Sequence, residues 1–175
     1  MRIRKAKQSD AEDIAKVHVD SWRTTYKGII SDKFLNQLSY DRRTELWQGN
    51  ISKEDTYILV VENSEGQIVG FADAWKRETN IVPYSIDLTS IYLLEDYQGK
   101  GIGKMLIREL FTYFKEKGYE KVFVDVLEEN KSRYFYEHYG AKHIKSVEIK
   151  IGDALLNEFI YEWNDLDCAL EKLNA

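Results

Sequence analysis

Three glycines stand at alternate positions in the segment Gln98-Gly99-Lys100-Gly101-Ile102-Gly103-Lys104, between a strand-like run and a helix-like run. Glycine adopts backbone angles that turn successive amide N–H groups toward one point, and the positive end of the following helix dipole strengthens their field. Such a loop binds phosphate oxygens without any particular side chain. Lys100 and Lys104 add positive charge or are simply solvated, and a tight turn without a ligand is the alternative for the whole segment.

Two common phosphate-binding loops do not match this segment. The dinucleotide-binding fingerprint has the spacing Gly-x-Gly-x-x-Gly within repeated strand-helix-strand units, whereas this chain has Gly99-x-Gly101-x-Gly103 after strands that form a hairpin. The nucleoside triphosphate loop requires Gly-Lys followed by Ser or Thr, and here Met105 follows Lys104. The loop is therefore neither of these two, and both a different phosphate-bearing ligand and a tight turn without a ligand stay open.

The chain has 175 residues and a formal net charge of −5. This balance argues against nucleic acid as a partner, because proteins that bind nucleic acid normally carry a basic surface. The histidines lack metal-ligand spacing, so no metal is expected. No run approaches the ~20 apolar residues of a membrane span, and the N-terminus lacks a signal-peptide pattern. The chain has one cysteine, Cys168, which excludes an internal disulfide framework and so favours a cytoplasmic protein. Cys168 is expected to be buried as a small apolar residue.

The apolar periodicity predicts one domain over residues 1–175, with a core over about 1–163 and a short C-terminal helix over 164–175. Capping patterns place helix starts at the Ser9-x-x-Glu12 box, at Ser31, at Ser39 and at Asn164. The strands are predicted over 2–6, 56–62, 67–76, 84–93, 121–127, 142–151 and 155–163. The main helices are predicted from the Ser9 box to 22, and over 33–38, 41–48, 103–117 and 130–139. This order indicates an α+β fold with a mixed sheet and one parallel crossover, through the helix over 103–117.

Two segments together carry a family resemblance. The glycine loop resembles the acetyl-CoA-binding signature of the GCN5-related N-acetyltransferase (GNAT) family. The segment Asn130-Lys131-Ser132-Arg133-Tyr134-Phe135-Tyr136-Glu137-His138-Tyr139-Gly140 is similar to that family's Asn…Phe-Tyr-Glu-x-x-Gly motif. The resemblance implies a mostly antiparallel twisted sheet flanked by helices, with splayed middle strands that hold acetyl-CoA. It also implies acetyl transfer to a primary amine.

The resemblance assigns roles around the co-substrate. The amides of residues 98–104 would hold the pyrophosphate, and the backbone of Ile91, Tyr92 and Leu93 would pair with pantetheine and stabilise the developing oxyanion. Tyr136 resembles the general acid that protonates the departing thiolate, with simple packing as its alternative. Asn130 resembles a residue that binds pantetheine, with a helix N-cap as its alternative.

The attacking amine must lose a proton, and Asp87 stands where many family members carry a glutamate that faces the amine. Asp73 is the competing base or substrate residue, since it alternates with Phe71 and Trp75 on one strand face. In the family the acceptor enters near the first helices, where Trp22 and Tyr26 would wall an amine pocket or pack in the core. Arg23 would bind a substrate anion or form a surface salt bridge.

The sequence therefore predicts an acetyl-CoA-dependent N-acetyltransferase that acts on a small-molecule amine by direct transfer in a ternary complex. Acetylation of a protein N-terminus or lysine is the first alternative. A non-catalytic CoA-binding sensor module is the second. Phe159, Tyr161 and Trp163 in the closing hairpin could belong to a homodimer interface.

Overall fold

The computed structural model describes all 175 residues, which form seven strands and six helices. The strands are β1 (Arg2–Lys5), β2 (Tyr57–Glu62), β3 (Ile68–Trp75), β4 (Ser85–Leu93), β5 (Lys121–Leu127), β6 (Lys142–Ile151) and β7 (Ala154–Trp163). The helices are α1 (Ala11–Thr25), α2 (Asp32–Asn36), α3 (Tyr40–Ile51), α4 (Ile102–Glu116), α5 (Ser132–His138) and α6 (Leu166–Asn174). The chain divides into two compact units, unit 1 over residues 1–75 and 90–106 and unit 2 over residues 76–89 and 107–175.

Unit 1 contains the antiparallel strands β1, β2 and β3, the helices α1 to α3 and the second half of β4. Its core joins the apolar stripe of α1 to β2, β3 and Trp47 of α3, which is 1% exposed. Burying each such large apolar side chain contributes about 1.5–3 kcal/mol. The Ser31 and Ser39 hydroxyls accept from Phe34 N and Arg42 N, which confirms both predicted helix caps.

The start of α1 differs from the predicted capping box. Asp10, not Ser9, precedes the helix, and its carboxylate accepts from the backbone N–H of Lys7 at 2.7 Å. The Arg4 guanidinium of β1 donates to both oxygens of Asp10 at 2.7 and 2.9 Å, and this holds the pKa of Asp10 below its usual range. Arg4 of the strand β1 therefore stabilises Asp10 as the residue at the start of α1.

Unit 2 pairs the first half of β4 in parallel with β5, from Ser85 opposite Lys121 to Leu88 opposite Val124. This parallel pair confirms the predicted crossover through α4. Strand β5 then pairs with β7, and β7 pairs with β6, both antiparallel. Tyr161 and Trp163 of β7 are each 1% exposed, so they belong to the core of unit 2 and are not available to a partner, while Phe159 is half-buried.

The strand β6 is the last strand of the sheet, and its outward residues are exposed. Its pairing with β7 shifts register between His143 and Lys145, which marks an irregularity near its start. Lys142, Lys145, Glu148 and Lys150 are charged and exposed along it.

The strand order is β1-β2-β3-β4-β5-β7-β6, with one parallel pair. The predicted α+β class with a mixed, mostly antiparallel sheet is confirmed. That residues 1–175 form a single domain stays a prediction. The C-terminal helix is capped by Asp165, whose carboxylate accepts from Cys168 N, rather than by Asn164. Cys168 is exposed and not buried as expected. None of the helices is long and apolar enough to cross a membrane.

Candidate active site

The glycine loop lies in unit 1 at the start of the fifteen-residue helix α4. Gly99 has a φ of +69° and Gly101 a φ of +76°, both in the left-handed region, where an L side chain is strained. Gly103 lies in the first turn of α4. Residues 98–101 are exposed and directly precede the positive end of the helix. This geometry is that of an anion-binding nest.

The loop is tied back to the end of β4. The Gln98 side-chain amide donates to Leu93 O at 3.0 Å, and the Lys100 ammonium lies 5.5 Å from the Tyr97 ring centroid. The strand β3 approaches this end of β4 closely at Gly70, where an added Cβ would stand 2.2 Å from Leu93 Cδ2 and 3.0 Å from Tyr92 O. The position of Ile91, Tyr92 and Leu93 therefore depends on the absence of a side chain in β3.

An aromatic cluster in unit 1 contains two of the predicted acceptor residues. It comprises His18, Trp22, Tyr26, Trp47, Phe71 and Tyr92. The rings of Trp22 and Tyr26 meet edge to face at 4.7 Å between centroids, and the hydroxyls of Tyr26 and Tyr92 are 3.1 Å apart. Tyr26 is buried and Trp22 half-buried, so both roles weighed for these residues, packing and pocket wall, are compatible with their position.

His18 occupies the middle of the aromatic cluster. Its ring stacks on Tyr92 at 5.6 Å between centroids, with planes 16° apart. Burial, together with the positive charge of Arg43, lowers the pKa of His18 to about 3. The imidazole is therefore neutral at physiological pH.

Asp73 and Trp75 lie on β3, also in unit 1. Asp73 is 2% exposed and shares a strand face with Phe71 of the aromatic cluster. Trp75 is half-buried, and the Lys53 ammonium lies 5.7 Å from its ring centroid. The strand therefore brings a buried carboxylate beside the cluster.

Two arginines of unit 1, Arg23 and Arg43, differ in their contacts. Arg23 forms no surface salt bridge: its guanidinium donates to Leu35 O and Leu38 O at 3.3 and 3.1 Å and so holds the connection between α2 and α3. That Arg23 binds a substrate anion stays a prediction. Arg43, which the sequence analysis did not single out, is half-buried, with its Cζ 5.9 Å from the Trp22 ring centroid. Burial lowers the pKa of Arg43.

Asp87 lies in unit 2, on the first half of β4, and is 4% exposed. Its Oδ2 accepts from Arg77 N at 3.0 Å and from the Asn80 side-chain amide at 2.9 Å. Arg77 in turn pairs with Asp125. Burial and the charge of Asp125 raise the pKa of the neighbouring Glu158. Asp87 thus anchors the connection between β3 and β4 through one of its two oxygens.

Tyr136 and Asn130 also lie in unit 2. Tyr136 is 6% exposed on α5, and its ring meets Trp163 edge to face at 5.7 Å between centroids. The Asn130 Oδ1 accepts from Ser132 N at 2.9 Å at the start of α5, which leaves its amide NH₂ for another acceptor. Both alternatives for Asn130, helix capping and ligand binding, can therefore hold together.

The site residues fall into two sets. Unit 1 brings together the glycine loop, the end of β4, the aromatic cluster and Asp73, and unit 2 contains Asp87, Tyr136 and Asn130. Nowhere in the chain do three or more His, Cys, Asp or Glu side chains form a group that could hold a metal ion.

Comparison with known proteins gives the class. The model of the acetyltransferase (GNAT) family matches residues 15–141. The uncharacterized N-acetyltransferase YuaI of Bacillus subtilis is 35% identical over 98% of both chains. A spermidine N(1)-acetyltransferase of Thermoplasma acidophilum is 29% identical over 67% of this chain and 73% of its own. The structure of a PaiA N-acetyltransferase from the same organism, solved in complex with coenzyme A, has a TM-score of 0.77 at 25% identity, covering 93% of this chain and 98% of its own.

The chain therefore belongs to the GNAT family, and it is an N-acetyltransferase by class. The predicted family and enzyme class are confirmed.

Proposed function

We propose that this protein transfers the acetyl group of acetyl-CoA to the primary amine of a small molecule, by direct attack in a ternary complex. The observation that carries the proposal is the pair of left-handed glycines, Gly99 and Gly101, in an exposed loop at the start of α4. Such a nest suits a pyrophosphate. The coenzyme A complex of the PaiA structure supports this ligand, and the spermidine acetyltransferase among the relatives supports a small amine.

The co-substrate would be held by backbone more than by side chains. The amides of residues 98–104 would bind the pyrophosphate, with Lys100 and Lys104 adding charge. The backbone of Ile91, Tyr92 and Leu93 would pair with pantetheine, and a strand N–H there would stabilise the charge that develops on the carbonyl oxygen. The free amide NH₂ of Asn130 supports a further contact with this ligand.

Acetyl-CoA supplies a thioester carbonyl that a neutral amine can attack. The amine nitrogen forms a bond to the carbonyl carbon, and the carbon–sulfur bond breaks. Tyr136 would deliver a proton to the leaving sulfur, and its buried ring, held against Trp163, fixes the direction of the hydroxyl. The phenolate then recovers a proton from solvent.

The proton lost by the amine would pass to Asp87, directly or through a water. Both protein hydrogen bonds to this carboxylate end on Oδ2, so Oδ1 is left for the water or the ammonium. Asp73 is the competing base, because it is a buried carboxylate beside the aromatic cluster. Trp22, Tyr26, Asp73 and Trp75 would together contact the acceptor.

The proposal includes a cytoplasmic location. Cys168 is the only cysteine and is exposed. A reducing compartment keeps such a thiol from forming disulfides between chains.

The test is calorimetric titration of the purified chain with acetyl-CoA, with NAD as the comparison ligand. A micromolar dissociation constant for acetyl-CoA, about −8 kcal/mol, and no heat with NAD is expected. Release of free CoA with a panel of small amines and of peptides then identifies the acceptor class. No binding of acetyl-CoA overturns the proposal. Binding with turnover only on peptides moves the acceptor to protein, and binding without turnover on any amine supports the sensor alternative.

A further inference from the structure

Arg43 is a half-buried guanidinium that has no hydrogen-bond or ion-pair partner in the protein. The other arginines with reduced exposure are engaged: Arg4 pairs with Asp10 and Glu62, Arg23 donates to two carbonyls, Arg77 pairs with Asp125, and Arg133 pairs with Glu137. Arg2, Arg42 and Arg108 are exposed to solvent. The Arg43 guanidinium forms no hydrogen bond or ion pair, and its Cζ lies 5.9 Å from the centroid of the Trp22 ring.

The absence of a partner has a cost in free energy. A guanidinium carries five N–H donors and no acceptor, and taking it out of water without an anion is unfavourable. The lowered pKa of Arg43 has burial as its main cause, and no Asp or Glu side chain opposes the shift. No carboxylate of the chain offsets the buried charge. A bound ligand with an anionic group would offset the cost of the half-buried guanidinium.

A second donor beside Arg43 also lacks an acceptor. The Trp22 indole N–H is buried and makes no hydrogen bond, and the Ser21 hydroxyl, on the same helix, is 1% exposed and makes none either. An indole N–H can only donate. Arg43 lies over this same indole ring, so two donors without acceptors occur at one place. The complementary ligand group is one that brings several acceptor oxygens and a negative charge.

The neighbouring His18 does not add a second positive charge beside Arg43. His18 Nδ1 accepts from the Trp47 indole N–H at 3.1 Å, and the ring is neutral. The proton of the neutral ring is therefore on Nε2, since Nδ1 is the acceptor. His18 thus presents an uncharged ring that stacks on Tyr92, and the positive charge over Trp22 is that of Arg43.

The aromatic walls suit the carbon skeleton of a small molecule. Trp22, Tyr26 and Tyr92 present ring faces and edges, and the Tyr26 and Tyr92 hydroxyls are 3.1 Å apart. Tyr92 is part of the strand end that leads into the glycine loop. A molecule bound against Tyr92 is therefore adjacent to the backbone proposed to hold pantetheine.

We propose that Arg43 and the Trp22 indole N–H bind an anionic group of the amine acceptor, so that the substrate is an amine that also carries an oxyanion such as a carboxylate or a phosphonate. This inference rests on the proposed function and narrows its substrate class. It excludes purely cationic amines, such as polyamines, as the preferred acceptors.

The test begins with anion binding by the purified chain, independent of turnover. Melting temperatures are measured at constant ionic strength with N-acetylmethionine, N-acetylphenylalanine and an aminoalkylphosphonate, for wild type, Arg43→Met and Arg42→Met. At least one anion should stabilise wild type and Arg42→Met, and the response should vanish in Arg43→Met. Carboxylate and phosphonate arms distinguish the two kinds of anion. No Arg43-dependent response to any of these anions overturns the proposal.

Turnover provides the second arm. Methionine is compared with 3-(methylthio)propylamine, phenylalanine with phenethylamine, and both pairs with spermidine. The value of kcat/KM should be at least tenfold higher for the anionic member, and Arg43→Met should lower it about 10- to 100-fold for that member alone. Arg43→Lys keeps the charge but loses the planar fork, so its kcat/KM for the anionic member should lie between the values of wild type and Arg43→Met.

The outcomes separate the two proposals. If acetyl-CoA does not bind in calorimetry, the transferase proposal fails while the anion response is judged on its own. If acetyl-CoA binds and spermidine is acetylated faster than every anionic amine, with no effect of Arg43→Met, only the anion subsite fails. A folded Arg43→Met protein, shown by an unchanged acetyl-CoA dissociation constant, separates loss of the subsite from loss of structure.

Discussion

Trp47 of α3 donates its indole N–H to Nδ1 of His18 on α1 across 3.1 Å, and neither side chain is exposed. The bond fixes the tautomer of the imidazole and satisfies the one donor that Trp47 carries into the core. It is the buried polar link between the two helices, which are also joined near the surface by the Tyr40 hydroxyl donating to Asp20. Protonation at Nδ1 would break this bond, which adds to the cost of charging His18.

This relationship predicts a pH-dependent stability. Because the pKa of His18 is about 3 in the folded state and ordinarily 6.5, the unfolded chain takes up a proton below pH 6.5 that the folded chain does not. The free energy of unfolding therefore falls as the pH drops from 6.5 toward 3. Between pH 7 and pH 5 the titration of His18 alone should lower the free energy of unfolding by about 2 kcal/mol.

The matched variant is His18→Asn, whose side-chain oxygen can replace Nδ1 as the acceptor from Trp47 and does not titrate. Urea unfolding at pH 7, 6 and 5 measures both proteins. If the free energy of unfolding falls equally in wild type and His18→Asn between pH 7 and pH 5, the pKa of His18 is not lowered in the folded state.

The glycine loop predicts a separable effect on ligand binding. Gly101→Ala places a side chain at a φ of +76°, which costs about 1–2 kcal/mol. Gly66→Ala imposes the same strain at a φ of +79°, in the turn between β2 and β3. Both variants should lose similar stability, whereas only Gly101→Ala should weaken acetyl-CoA binding, by at least tenfold in calorimetry. Equal dissociation constants for the two variants would return the loop to a purely structural turn.

Tyr136→Phe removes the proposed acid and keeps the ring that packs on Trp163. The value of kcat should fall about 100-fold or more, with the dissociation constant of acetyl-CoA unchanged, because general acid catalysis contributes about 10²–10⁴-fold. Steady-state kinetics with the acceptor found by the amine panel measure this. Unchanged turnover assigns Tyr136 to packing alone.

Asp87→Asn tests the proposed base against its structural role. The variant keeps the size of the side chain and an oxygen that can accept from Arg77 N and Asn80, but it cannot take a proton. We expect kcat/KM to fall at least tenfold and the acidic limb of its pH profile to disappear. Asn80→Ala removes one of the two tethers and leaves the carboxylate, so its pH profile should match that of wild type. A wild-type profile in Asp87→Asn moves the base to Asp73 or to water.

Local patterns were sufficient to predict most of the fold. The strand over 121–127 coincides with β5, and the serine caps at Ser31 and Ser39 form as expected because a cap needs only neighbouring amides. The box at Ser9 fails for the opposite reason. Arg4 reaches Asp10 from β1, and no local pattern reports a partner from another strand.

The part of the candidate site that consists of backbone groups, the glycine loop, could be predicted from the sequence. Left-handed φ angles at Gly99 and Gly101 follow from the residue type. Arg43 could not be found this way, because it stands beside Arg42 in a helix of mostly polar residues that reads as solvated. Which one of its arginines is buried depends on the packing of α3 against Trp22 of α1. The family resemblance did single out Asp87, but not its hydrogen-bond partners, which come from the loop before β4.

The charged, irregular strand β6 bears on how this protein behaves when concentrated. A terminal strand of ten residues exposes unpaired backbone groups that can recruit another chain and begin aggregation. Like-charged lysines along that strand and a register shift beside His143 oppose such recruitment, since a second copy would bring Lys142, Lys145 and Lys150 against the same charges. Neutralising these lysines should therefore make the edge of β6 more prone to pair with a second copy.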